Sequence, residues 1–359
     1  MDVLGFNSTD LDQLIVLRDD QGDITGGWIG NMSDSTREVM QATIDQALAE
    51  LSRELLEPAV AEIPEDIENL ILLPSGSLFL LPIHAAPLSG SQELLCDRYV
   101  VSYAPSIELL IEMKEKAKER TGEGLYAVVN PTGDLDFTVC EGERIAELFQ
   151  SSHVDEGSSC TLASVFNGTR GQAYLHFASH GGYNWNDPTQ SALILYNESL
   201  LTLADLQEND RLLLSSRLVT LSACETGITD VLLGSPDEYV GLPAGFMLSG
   251  APCVVSSLWS VDDASTSMLM ERFYSNHIIK GMDIPSALQE AQQWIRGLTY
   301  LEVAKYVSEC RSPANTGQRN NNLRSAGQTA DAAPLATDLQ NAKPFDHPYY
   351  WAGFTVNGA

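Results

Sequence analysis

A histidine and a cysteine that each close an apolar, strand-like run are the residues of this sequence best suited to chemistry. His180 ends the run YLHFASH, and Cys224 ends the run RLVTLSAC. A thiolate can attack a peptide carbonyl, and an imidazole can accept the thiol proton or protonate the leaving amine. A nearby imidazolium also lowers the pKa of a thiol from its usual value of about 8.5. The pair therefore predicts nucleophilic catalysis at Cys224, assisted by His180, without a cofactor.

Two glycines, Gly181 and Gly182, come directly after His180. Attack on a carbonyl creates an oxyanion, which N–H donors must stabilise. Because glycine has no side chain, its backbone can approach a substrate closely. We expect the oxyanion hole to consist of the backbone N–H of Gly181 or Gly182 together with that of Cys224.

The elements that must position this pair alternate between strand and helix from residue 124 onward. Apolar strand-like runs separated by helical patterns occupy 125–130, 174–180, 217–224 and 251–259. Such alternation predicts an α/β fold with a mostly parallel sheet covered by helices on both faces. The carboxyl ends of parallel strands form one edge, so His180 and Cys224 should face the same crevice. Earlier in the chain, residues 69–88 predict a hairpin, and the run HPYYWAGFTVNG predicts a final strand that returns to the sheet.

Composition excludes several classes of partner. Asp and Glu number 49 against 20 Lys and Arg among 359 residues, a formal net charge of -29. Such a surface disfavours direct binding to nucleic acid or to an anionic membrane and favours basic protein partners. No secretory signal pattern and no apolar run of membrane-spanning length occur. Six scattered cysteines without zinc-ligand spacing indicate no metal site and a reducing, cytoplasmic location.

Several motifs resemble one known family. The motifs are LHFASHGGYN, LVTLSACETGITD, GLPAGFMLSGAPCVVSSLW and HPYYWAGFTVNG. They closely resemble the CHAT domain, a caspase-like cysteine peptidase domain of clan CD that is related to separase. The resemblance implies a caspase-like (caspase–hemoglobinase) fold, with His180 and Cys224 as the catalytic dyad. It also implies regulated endopeptidase cleavage of protein substrates.

The resemblance also implies a division of the chain. Residues 1–122 correspond to an N-terminal pseudo-caspase-like half without a dyad, and residues 123–359 to the catalytic half. Residues 312–343, which are rich in Asn, Gln, Ala and Gly, are expected to form a flexible loop. CHAT domains often follow helical repeats, whereas no repeat is visible here. We therefore expect a regulatory partner, or an N-terminal repeat region of a longer protein, to control activity.

Candidates for the substrate pocket come from the motif LWSVDD and from a loop after His180. LWSVDD is similar to the separase pattern Leu-Trp-x-Val-x-Asp, which makes Asp263 the first and Asp262 the second candidate for the floor of an S1 pocket that takes a basic P1 side chain. A charge-assisted pair with arginine is the physical attraction. An Asp at this position can instead cap the helix that starts near Ala264. Trp185 either lines a subsite or packs against the protein.

Other polar residues near the dyad have structural alternatives. His176 shares a strand face with His180, but a packed, hydrogen-bonded histidine is the simpler reading. Ser179, Ser222 and Glu225 could hydrogen-bond near the dyad, and Glu225 could equally cap a turn.

Three other functions remain open at this stage. The first is a catalytically silent caspase-like scaffold or signalling module, which would have no physical need for an intact dyad. The second is another Cys–His reaction, such as acyl or glutamine transfer. The third is a zymogen that first cuts itself within the loop at 312–343, where Arg311, Arg319 and Arg324 provide basic sites in or beside the loop.

Overall fold

The fold was analysed in a computed structural model. It describes residues 17–18, 24–32, 36–88, 91–120, 122–182, 184, 187–209, 213, 215–222, 241–311 and 341–358. Cys224, Trp185 and Glu225 lie outside these residues, as do positions 312–340 of the predicted loop.

Strands are short and fall mostly where the apolar runs predict them. Their bounds are β1 Leu17–Arg18, β2 Ile24–Gly26, β3 Asn69–Leu72, β4 Val100–Tyr103, β5 Leu125–Val129, β6 Ser152–Glu156, β7 Tyr174–Ala178, β8 Gly181–Gly182, β9 Ala192–Ile194, β10 Leu200–Thr202, β11 Leu218–Leu221, β12 Cys253–Ser257 and β13 Phe354–Gly358.

Helices connect these strands and often begin at side-chain caps. Their bounds are α1 Gly27–Met32, α2 Arg37–Leu51, α3 Glu57–Val60, α4 Leu95–Arg98, α5 Ile107–Glu119, α6 Thr138–Ala146, α7 Leu162–Gly168, α8 Leu203–Glu208, α9 Leu242–Leu248, α10 Asp263–Tyr274, α11 Ile284–Gly297 and α12 Tyr300–Cys310. Ser106, for example, caps α5 by accepting a hydrogen bond from the backbone N–H of Leu109 at 3.1 Å. None of the helices in the described part of the chain has both the length and the apolar character that crossing a bilayer requires.

One large sheet organises the molecule. Among the described residues it has eight strands, in the order β3-β4-β13-β12-β11-β7-β5-β6. Every neighbouring pair is parallel except β12 and β13. The predicted α/β fold with a mostly parallel, helix-flanked sheet is therefore confirmed. The predicted return of the final strand is confirmed as well, since β13 enters between β12 and β4.

Alternating residues along the central strands build a core on each face of this sheet. On β7, Tyr174 belongs to one buried cluster and Leu175 to the other. The Tyr174 face packs against α10 and α11, and the Leu175 face packs against α9. Both faces of the strand are buried, as expected for parallel strands between helical layers.

The predicted hairpin at 69–88 is wrong. β3 pairs in parallel with β4, so its partner comes from a later segment rather than from a tight turn. After β3 the chain forms 3-10 turns at Gly76–Leu80 and Ile83–Ala85. Leu80 and Leu81 are both fully buried, which a strand with one solvent face would not allow for adjacent residues.

One pair of cysteines forms a disulfide, which the scattered cysteines of the sequence did not indicate. Cys140 on α6 and Cys310 at the end of α12 form a disulfide across 170 residues of sequence, with their Cα atoms 5.6 Å apart. That spacing lies in the usual range for disulfides. Arg144 reinforces the contact, because its Nη2 lies 3.0 Å from Glu309 Oε2 and its guanidinium stacks 4.6 Å from the ring centre of Tyr306. Arrangement in space, not sequence spacing, brings these two thiols together.

Candidate active site

Four neighbouring strands deliver polar side chains to one edge of the sheet. β12, β11, β7 and β5 are consecutive and parallel, so their carboxyl ends coincide. Asp263 follows β12, His180 follows β7 and Asp134 follows β5, whereas β11 leads to Ser222, the last described residue before Cys224. This edge is the crevice in which the sequence predicts the dyad.

The backbone of His180 is fixed from two sides. Just before it, the carbonyl of Ala178 accepts a hydrogen bond from Asn130 N–H at 2.9 Å. The carbonyl of His180 itself accepts one from Ile194 N–H at 2.8 Å. His180 therefore stands at the junction of the large sheet and the small antiparallel sheet β8-β9-β10, and its side chain remains 33% exposed.

Asp134 contacts His180 and was not identified from the sequence. His180 Nε2 lies 3.0 Å from Oδ1 and 3.1 Å from Oδ2 of Asp134. The hydroxyl of Thr132 donates to Oδ1 of the same carboxylate. The hydrogen bonds from Thr132 and from His180 both lower the pKa of Asp134. A signal existed in the sequence, because Asp134 comes four residues after the predicted strand 125–130, at the same sheet edge as His180.

His176 forms a second histidine–carboxylate pair, deep below the first. Its Nε2 lies 2.9 Å from Glu141 Oε1, and the two side chains are 0% and 1% exposed. The Tyr274 ring packs edge-on at 5.6 Å. Gly142 lets α6 approach β5 this closely, since a Cβ there would meet Val129 Cγ2 at 2.5 Å. The packed, hydrogen-bonded role expected for His176 is the one observed.

Asp262 and Asp263 have different surroundings. Asp262 caps α10, with Oδ1 accepting from Ser265 N–H at 3.0 Å, and lies 3.5 Å from Arg37 Nη2. The pKa of Asp263 is raised to about 6, chiefly by burial and then by the charges of Asp262, Glu141 and Asp136. His180 acts on the pKa of Asp263 in the opposite direction, because an imidazolium favours the ionised carboxyl.

The two glycines after His180 form β8 and differ in the direction of their N–H groups. Gly181 is opposite Leu193 and Gly182 is opposite Ala192. The N–H of Ile194 donates to the carbonyl of His180, so these two residues form a hydrogen-bonded pair. Hydrogen-bonded and non-bonded pairs alternate along antiparallel strands, so Gly182 and Ala192 form the next hydrogen-bonded pair. Gly181 and Leu193 then form a non-bonded pair, so the Gly181 N–H points away from β9. Of the two glycines, Gly181 is therefore the one whose N–H is not used in pairing with β9.

Two serines near the dyad make no contact that supports a role. Ser179 and Ser222 are buried, and within the described residues neither Oγ has a hydrogen-bond partner. The same part of the chain contains no group of three or more His, Cys, Asp or Glu side chains that could hold a metal ion.

Comparison with solved structures gives matches of modest similarity. Pro- and mature domains of gingipain from Porphyromonas gingivalis match at 11% identity with a TM-score of 0.48, covering 93% of this chain and 71% of that chain. A separase–securin complex from Saccharomyces cerevisiae matches at 15% identity with a TM-score of 0.45, covering 63% of this chain and 14% of that chain.

Comparison with protein sequences identifies the family. Tetratricopeptide repeat protein 28 of Homo sapiens is 23% identical over 81% of this chain, and the match spans 12% of that protein's length. The corresponding mouse protein is 28% identical over the same shares. The family model of the CHAT domain matches residues 45–359. The chain therefore belongs to the CHAT domain family.

Proposed function

We propose that this chain is a cysteine endopeptidase with His180 and Cys224 as its catalytic pair. The observation that carries the proposal is the register of the two strands that precede them. Leu221 of β11 pairs with Phe177 of β7, so Ser222 and Ala178 come next, opposite each other. In the sequence, His180 and Cys224 each follow this pair by two residues. Family membership supports the same assignment.

The mechanism uses groups of the protein alone. Cys224 transfers its proton to His180 and attacks the substrate carbonyl, and the Gly181 and Cys224 N–H groups stabilise the oxyanion. His180 then protonates the leaving amine, which releases the first product and leaves an acyl-enzyme. Water, deprotonated by His180, hydrolyses the thioester and restores the thiol.

Asp263 gives the proposed site a preference for a basic P1 side chain. Its side chain is half-buried, and its pKa responds to His180. The carboxylates of Asp136 and Glu141 add to the negative potential around it. Asp262 is the second candidate, because Ser265 and Arg37 already engage its carboxylate. Trp185 remains a proposed subsite residue.

Regulation and location belong to the proposal as well. A regulatory partner, or a repeat region such as those named in the tetratricopeptide relatives, would control access to the site. The division at residue 122, the flexible loop at 312–343 and the cytoplasmic location stay predictions. The Cys140–Cys310 disulfide argues for a location less reducing than the one expected.

The test is covalent labelling with a peptidyl-arginine chloromethyl ketone, followed by mass analysis. The other free thiols are built-in controls. Burial raises the pKa of Cys96 to about 12, of Cys160 to about 11 and of Cys253 to about 12. We expect one adduct, at Cys224, which His180→Ala abolishes, and cleavage of a peptide library after basic residues.

Each alternative predicts a different result in the same experiment. A silent scaffold gives no adduct at Cys224 under conditions in which a denatured control is alkylated. Acyl or glutamine transfer gives the adduct but no cleavage of any protein or peptide. Self-cleavage gives a shortened chain in the wild type that is absent from Cys224→Ala.

A further inference from the structure

The turn between β5 and α6 has a specified shape. Asn130 has a φ of 47°, and its Oδ1 accepts a hydrogen bond from Leu135 N–H at 3.1 Å. Gly133 has a φ of 83°, and its N–H lies 3.3 Å from the Asn130 carbonyl. Left-handed conformations are uncommon outside glycine but are tolerated by asparagine. The residues 130–135 therefore encode one conformation of the loop that carries Asp134.

This turn is attached to the strand that carries His180. β5 and β7 pair along their whole lengths, and Asn130 N–H extends the pairing to the carbonyl of Ala178. Thr132 then orients the carboxylate of Asp134 through its hydroxyl. Both sides of the contact between Asp134 and His180 are thus built on two rigid, adjacent strands, although the carboxylate itself is exposed.

The chemistry of the contact determines which ring nitrogen carries the proton. An ionised carboxylate only accepts hydrogen bonds, so the Nε2 that faces Asp134 must be the protonated nitrogen. In the neutral imidazole, Nδ1 is then the nitrogen that can accept a proton. The carboxylate also stabilises the imidazolium that forms after a thiol transfers its proton.

We propose that Asp134 is a positioning residue for His180: it fixes the tautomer with the proton on Nε2 and presents Nδ1 to the thiol of Cys224. The proposal rests on the proposed function for the identity of the thiol. Among the described charged groups, Asp134 acts on His180 through the hydrogen bonds and Asp263 acts on it through space. A merely structural surface ion pair would add little to stability and would leave the reactivity of the site unchanged.

The decisive experiment is a titration of the histidine ring signals by NMR. The chain has six histidines, and His180→Gln assigns the signal of interest. Asp134→Asn should lower the pKa of His180 by about one unit, because a hydrogen-bonded negative charge is removed. Glu147→Gln is the control, since it removes one negative charge from an exposed residue at the end of α6, the helix that follows the same loop. Equal shifts in the two variants would overturn the proposal.

A second measurement separates this proposal from the proposed function. The rate of Cys224 alkylation by iodoacetamide is followed against pH in the wild type, Asp134→Asn, Asp134→Glu and Glu147→Gln. We expect at least a tenfold loss at pH 7 in Asp134→Asn, partial recovery in Asp134→Glu, and wild-type rates in Glu147→Gln. A reactive Cys224 with an unchanged profile in Asp134→Asn contradicts the positioning role. An unreactive Cys224 in the wild type contradicts the proposed function, and the titration alone then decides whether Asp134 sets the protonation of His180.

Discussion

Two histidine–carboxylate pairs, one formed by His176 within β7 and one by His180 just after that strand, differ mainly in their access to water. His176 and Glu141 are sealed between the sheet and α6, whereas His180 and Asp134 stand at the rim, 33% and 64% exposed. The distances between nitrogen and oxygen are nearly the same, 2.9 Å and 3.0 Å. Burial therefore separates the two pairs: removal of a partner should be costly in stability for the inner pair and costly in reactivity for the outer pair.

The largest expected effect tests the outer pair. His180→Ala should reduce the rate of Cys224 alkylation by about 10²–10⁴, the usual contribution of a positioned general acid or base. Urea unfolding should show a free energy of unfolding within about 1 kcal/mol of the wild type, because the side chain is partly exposed. A large loss of stability with little loss of reactivity would show that His180 has a structural role, like the one that we assign to His176.

The inner pair should respond in the opposite way. Glu141→Ala leaves His176 buried without its hydrogen-bond partner and should lower the free energy of unfolding by about 3 kcal/mol. Asp134→Ala is the control for the outer pair and should cost about 1 kcal/mol or less. Equal losses in the two variants, measured by urea unfolding, would remove the distinction between the pairs.

The disulfide should stabilise the inner region more than the rim. Cys140 is adjacent to Glu141, so the bond to Cys310 holds α6 where the buried pair forms. The double variant Cys140→Ser, Cys310→Ser should lose about 2–4 kcal/mol of unfolding free energy. The pKa of His180, followed by NMR, should stay unchanged. A shift of that pKa would mean that the two regions are coupled through α6.

Members of both pairs, Glu141 and His180, act electrostatically on Asp263, whose substitution should give the smallest effect. Its folded pKa of about 6 lies above the ordinary value of 3.8, so the folded state favours the protonated form. Stability from this group is complete at low pH and is lost as the pH rises through about 6. Asp263→Asn should therefore be more stable than the wild type by about 1 kcal/mol at pH 7, after allowance for solvent screening, and equal to it near pH 4.

Glu147→Gln is again the control for this measurement, since it removes one negative charge from an exposed position at the end of α6. Urea unfolding at several pH values gives the comparison. A pH-independent difference for Asp263→Asn would show that its carboxyl is not perturbed in the folded state.

The sequence predicted the strands of the sheet more reliably than the contacts between distant residues. His180 could be located because apolar runs and their ends are local features, and the edge they share follows from parallel pairing. The same logic, applied to the end of β5, would have identified Asp134. The capping role of Asp262 was foreseen as an alternative because caps are also local.

What the sequence could not supply depends on packing across the chain. The Cys140–Cys310 bond requires α6 and α12 to lie side by side, and no spacing rule covers 170 residues. His176 is buried and His180 is partly exposed, and this difference depends on which of the two side chains α6 covers. The hairpin expected at 69–88 failed because the true partner of β3 lies beyond a crossover connection, and apolar content alone does not reveal strand direction.

The position of β13 has a consequence for the order in which the protein is made. β4 and β12 belong to segments about 150 residues apart, and β13 is the strand inserted between them. A ribosome must therefore synthesise the chain through Gly358 before the two sides of the sheet can join. Until then β12, the strand that leads to Asp263, has an unpaired edge. Docking of β13 therefore covers the exposed edge of the strand that leads to Asp263, and a chain that lacks β13 would present that edge to other strands.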